Sequence, residues 1–118
     1  MFNRRLCAVL LTLALSACAS DPAPTEQLRL SDQTLSEAKA LGADAEQLGS
    51  LKLAEEKQAQ AQVAMQAGDF KRARVLSEQA ELDARLAQAQ LLTQKSQEQL
   101  DALNRRIDRL RKQLGTLP

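Results

Sequence analysis

From Thr25 to Leu114 the apolar positions recur with a helical beat, and no stretch alternates with the period of a strand. Leu28, Leu35 and Ala38 share one face of a segment from Thr25 to about Leu41, which predicts a first helix. Gly42 and Gly49 then bracket a break. A second helix is expected from about Gln47 to Ala67, with Leu51, Ala54, Ala61 and either Ala64 or Met65 turned inward. At Gly68-Asp69 two signals meet: glycine suits the left-handed residue that ends a helix, and an aspartate can cap the next one. A third helix follows from Phe70 to about Leu114, with neither Gly nor Pro inside it. At 1.5 Å per residue it is about 67 Å long, so the second helix can cover only its first half.

The uncovered half has its own pattern. Leu100, Leu103, Ile107, Leu110 and Leu114 step by three, four, three and four, an a/d seam over two heptads. Upstream the seam projects onto Gln97, Gln94 and positions held by Ala or Ser, so the pattern reads as short. Such a seam is expected either to pair with another chain or to fold back on the first helix. The fold class is therefore all-α: an antiparallel helical hairpin or three-helix arrangement, whose long C-terminal helix extends into a short coiled-coil-like seam.

The start of the chain is patterned differently. Asn3-Arg4-Arg5 is a charged opening, and Leu6 to Leu15 is an apolar run too short to span a bilayer, which needs roughly 20 residues. This is the layout of a secretory signal. Its end, Leu15-Ser16-Ala17-Cys18, resembles the lipobox of bacterial lipoproteins. The resemblance implies cleavage between Ala17 and Cys18, a diacylglyceryl group on the Cys18 thiol, and acylation of the new amine. Several acyl chains anchor stably, since each buried CH₂ contributes about 0.8 kcal/mol. Ala19 stands where an Asp would hold an enteric lipoprotein in the inner membrane, so the outer membrane, facing the periplasm, is expected. Residues 19–24, Ala-Ser-Asp-Pro-Ala-Pro, read as a short tether. The expected organisation is a signal over 1–17, lipidated cysteine and tether over 18–24, a helical hairpin domain over 25–99, and a basic amphipathic helix end over 100–118.

Composition narrows the chemistry. The aromatic residues are Phe2 and Phe70, and Trp, Tyr and His are absent. Alanine and leucine must therefore build the core, which favours thin helix-on-helix contacts. The formal charge is +1, from 16 basic and 15 acidic residues; without Arg4 and Arg5 it becomes −1, which gives no reason to expect nucleic acid. Charge does gather near the end, where Arg105, Arg106, Arg109, Arg111 and Lys112 outnumber Asp108. This cluster reads as a solvated face or as a contact for an anionic polymer. With Cys7 inside the signal, Cys18 is the one cysteine of the mature chain, so neither an internal disulfide nor a Cys/His metal site is expected. The carboxylate pairs Glu55-Glu56 and Glu78 with Glu81 lie among Lys, Arg and Gln, as on solvated faces. Ser77, Thr93 and Ser96 have no base to activate them. No catalysis and no cofactor are expected.

The segment from Ala64 to Ala87, with Ala67-Gly68-Asp69-Phe70, Ala73 and the stretch Ala80-Glu81-Leu82-Asp83-Ala84-Arg85-Leu86-Ala87, resembles the alanine-rich lipoproteins that hold the domain of unknown function 4398. The likeness runs from about Gln27 to Ala89. The Ala-Gly-Asp-Phe turn is also similar to the turn between tetratricopeptide helices, which implies that Phe70 and Ala73 pack back onto Ala64 or Met65. Nothing repeats at the period of a tetratricopeptide array. Some family members precede a peptidoglycan-binding domain of the OmpA type; here the heptad helix follows instead, so wall binding is not carried over. The expected function is a structural or adaptor lipoprotein. It would be held to the membrane by its lipid and would engage itself or an envelope protein through the seam. Binding of peptidoglycan or another envelope polymer through the basic cluster is the alternative.

Overall fold

The computed structural model describes residues 21–115 as three helices: α1 (Thr25–Ala40), α2 (Gly49–Gln66) and α3 (Phe70–Gly115). The expected signal, the Ala17-Cys18 junction and lipidation at Cys18 lie outside the described residues. No described helix is long and apolar enough to cross a membrane.

Both turns close in the same way. Gly68 takes φ +75°, the Asp69 N–H donates to the Ala64 carbonyl at 2.9 Å, and the Gly68 N–H donates to Met65 at 3.1 Å. Gly42, at φ +97°, repeats this with Ala43 on Ala38 (3.0 Å) and its own N–H on Lys39 (2.9 Å). These paired bonds satisfy the last carbonyls of each helix, and they need a residue free to take positive φ. Asp69 then opens α3: its Oδ1 accepts from the Arg72 N–H at 3.1 Å, the N-cap that the sequence predicts. Between α1 and α2 the Asp44 carboxylate holds the Glu46 N–H, and Ala43, Ala45 and Leu48 pack against the core. That short knot delays α2 to Gly49, two residues later than the pattern suggests.

Cross-helix contacts fix the topology. Arg74 near the start of α3 donates to the Pro22 carbonyl, Gln88 donates to the Thr34 carbonyl, and Lys95 donates to the Leu41 carbonyl. Positions therefore rise together along α1 and α3, which run parallel. Ser50 bonds Gln90, and Lys57 pairs with Asp83, so α2 runs the other way. The body is an up-down-up bundle.

The core is mostly methyl groups. Ala38, Ala54, Ala61, Ala73, Ala80, Ala84 and Ala87 are fully buried, with Leu35, Leu51 and Leu91 as the larger members. On α3 the buried set is Ala73, Ser77, Ala80, Ala84, Ala87 and Leu91, stepping by four and three. Small side chains let helix backbones come close, but each buried methyl contributes only about 0.8 kcal/mol. Polar bonds fill the seams left over. Ser31 lies 2.6 Å from Gln58 Oε1, and Gln58 Nε2 donates to the Leu28 carbonyl at 3.2 Å. Lys39 pairs with Glu55 at 2.7 Å.

Candidate functional site

Where the bundle stops is set by one face of α3. Continuing the buried stripe past Leu91 in the same steps gives Gln94, Glu98, Asp101, Arg105, Asp108 and Lys112. The apolar surface that holds α1 and α2 thus turns polar at Gln94. Lys95 marks the end of cover, closing the C-terminus of α1 with a 2.7 Å bond from Nζ to the Leu41 carbonyl. A cation there also suits the partial negative charge of a helix end. From Leu92 to Gly115 every residue of α3 is exposed. About 30 Å of helix projects beyond Lys95. The expected seam lies in this stretch, its five side chains between 38% and 68% exposed. The fold-back of the seam onto the first helix is overturned, because α1 ends level with Lys95 and runs alongside the first half of α3.

The seam also runs further along α3 than its sequence pattern suggests. Carried upstream from Leu100 in strict steps of four and three, it meets Ser96, Thr93, Ala89, Leu86, Leu82, Gln79 and Val75. Val75, Leu82 and Leu86 are all exposed. Gln97 and Gln94, which the sequence pattern sets in the seam as breaks, lie beside the stripe. The stripe weakens at Thr93 and Ser96 and then resumes. Among the described residues, nine large apolar side chains of α3 are exposed, and all but Leu92 fall on this stripe. It occupies the face roughly opposite the buried alanines. α3 is therefore two-faced along its first half: methyl groups inward against α1 and α2, and larger side chains outward.

The basic cluster resolves into separate sides of the helix. Arg106 and Arg111 flank the seam, one on each edge. Arg105, Arg109 and Lys112, spaced by four and three, form a stripe on the far side. Arg111 lies 3.9 Å from Asp108 across exposed surface, a pairing of little energetic weight.

Several of the other candidate groups have structural partners. Ala73 is fully buried and Phe70 half-buried at the turn, whose Gly68 and Asp69 act as described above. Glu55 pairs with Lys39 and Glu81 with Arg85, while the buried Ser77 bonds the Arg74 carbonyl. Hydrogen bonds from Arg29 hold the Glu26 carboxyl below its ordinary range, and the same pair raises Arg29. Among the described residues no three His, Cys, Asp or Glu gather as metal ligands. The depression at the hairpin tip, between Ala59, Val63, Ala67 and Arg72, is shallow and open.

One further feature concerns the expected tether. Pro24 is fully buried, and Arg74 holds both the Pro22 carbonyl (3.0 Å) and, more loosely, the Asp21 carboxylate (3.8 Å). Asp21 to Pro24 is thereby docked beside the hairpin tip, at the opposite end from the projecting helix. No sequence signal marks Arg74 for this, since arginines on an exposed-looking helix are common.

The family model described as a domain of unknown function (DUF4398) matches residues 26–103. That span takes in the bundle and the first two seam leucines, and it ends before the basic cluster. The chain is also similar to a DUF4398 family protein, PA2901 from Pseudomonas aeruginosa PAO1, whose crystal structure is solved at 2.47 Å. The two share 57% identity, with a TM-score of 0.76, over 80% of this chain and 97% of that one. No curated protein matches.

Proposed function

The chain belongs to the DUF4398 family, and from that premise we propose that it is a membrane-anchored periplasmic lipoprotein of structural or adaptor type, acting without catalysis and without a cofactor. Cys18 carries the lipid, the outer membrane receives it, and α3 presents its apolar stripe to a protein partner. The carrying observation is that stripe: eight large apolar side chains of one face of α3 are exposed from Val75 to Leu114. Large apolar side chains gathered on one face of a helix, in two runs on either side of Ala89, Thr93 and Ser96, suit an interaction surface better than singly scattered ones do. The docked Asp21–Pro24 segment supports the same reading. The seam lies about 40 to 60 Å along α3 from Arg74, which holds that segment, so on this reading a lipid on Cys18 leaves the seam free. In cells, Leu103→Asp with Ile107→Asp is expected to abolish cross-linking through the seam while the lipoprotein stays in the membrane fraction. Undiminished cross-linking in that double variant sinks the reading.

A second reading rests on Arg105, Arg109 and Lys112, a basic stripe that stays accessible when the seam is engaged. It fits an anionic envelope polymer such as peptidoglycan. Such binding is expected to fall steeply with added salt, because exposed charges are screened over about 8–10 Å. Binding of isolated cell wall that persists at high salt contradicts it.

A further inference from the structure

Resting on the adaptor reading above, we propose that the occupant of the α3 stripe is a second copy of the same chain, bound antiparallel and centred near Leu91. The flanking charges choose the direction. In heptad terms Leu86, Leu100 and Ile107 stand at a, and Val75, Leu82, Leu103 and Leu110 at d. Glu78 and Arg106 then edge one side of the stripe, and Asp83 and Arg111 the other. A parallel pair sets Glu78 against Asp83 of the second copy and Arg106 against Arg111 of the second copy, like charge on like at both places. Lys57 is already paired with Asp83, whereas the 3.9 Å, exposed contact of Arg111 with Asp108 offsets little of the repulsion between Arg106 and Arg111 of the second copy.

An antiparallel pair places equivalent edges together. In the register centred on Leu91, Glu78 faces Arg106 of the second copy, twice by symmetry. Leu100 packs on Leu82 of the second copy, and Ile107 on Val75. A shift of one heptad puts Arg85 opposite Arg106 of the second copy and loses the Glu78 pairing. The same register accounts for Leu92, the exposed leucine of α3 that lies off the stripe. It falls at the two-fold axis, where it meets its own equivalent. Overlap runs nearly the whole of α3, so each projecting half covers the outer face of the other copy's body. The two Arg74 residues, and with them the docked Asp21–Pro24 segments, then lie about 50 Å apart. Two copies anchored in one membrane lie along it instead of standing on it.

The test uses the full-length chain in its own envelope, a short bismaleimide cross-linker, and the unsubstituted protein as control for Cys18. The chain carrying both Leu82→Cys and Leu100→Cys is expected to cross-link to a dimer, while either single variant does not, since like positions lie too far apart. Efficient dimers from Leu100→Cys alone overturn the antiparallel arrangement in favour of a parallel one. No thiol cross-link anywhere, with photo-adducts from Leu103 to a different protein, overturns self-pairing and leaves the adaptor reading standing. Absence of both overturns the two together. As a check on register, Glu78→Arg and Arg106→Glu are each expected to cut the dimer yield at least about fivefold, and the two combined to restore it. Failure of the combined variant to restore it overturns the register.

Discussion

At the scale of single residues this protein is held together by what is small. A core of alanine methyls leaves no slack between helices, because nothing long can rearrange to make room. Ala84→Leu is therefore expected to destabilise the fold by about 1–3 kcal/mol, although leucine is the more hydrophobic residue. Urea denaturation measures it, and an unchanged midpoint would contradict close packing at that position. Gly68 makes a different point. A Cβ there meets nothing within 4 Å, so Gly68→Ala is penalised only through the backbone at φ +75°. A loss of about 1 kcal/mol is expected, smaller for Gly68→Asn, and the same denaturation experiment separates them. Asp69→Ala should add a similar loss by removing the cap on the Arg72 N–H.

At the scale of elements, α3 carries two stripes in one heptad frame, and they were not equally legible in the sequence. The three helices and both glycine turns were, because Gly42 and Gly68 interrupt an otherwise unbroken run of helix formers. The downstream seam was legible too, since Leu100 to Leu114 stand against charged neighbours. Its upstream half was not. There the stripe shares the helix with a buried stripe of alanines, and small residues on both faces blur the period. The cross-helix glutamines carry no mark in the sequence: Gln58, Gln88 and Gln90 all bond across helices, yet glutamine suits a solvated helix face equally well. The polar turn of the inner face at Gln94 predicts a gradient of protection along α3. In the dilute lipid-free monomer, amides from Ser96 to Gly115 should exchange rapidly, while those from Ala73 to Leu91 exchange only through unfolding of the bundle. Equal protection along the helix would mean that its second half finds cover within the same chain.

At the scale of the whole molecule, the two proposed tasks, anchoring and partner binding, fall at opposite ends. The docked segment Asp21–Pro24 and the hairpin tip form one end, and the proposed lipid site, Cys18, precedes that segment by three residues in the sequence. The seam and the basic stripe form the other. The family match runs from residue 26 to residue 103, so it spans the body and the stripe through Leu103 and ends before the basic cluster. The central claim is that the apolar stripe of α3 is the working surface. The most direct test is photo-crosslinking in living cells, with probes at Leu103, Ile107 and Leu110 and a face control at Arg109. Adducts at the three stripe positions, with few or none at Arg109, are the predicted result; their mass identifies the partner as a second copy or a different protein. Adducts at Arg109 with none on the stripe would contradict the account and make the basic stripe the working surface.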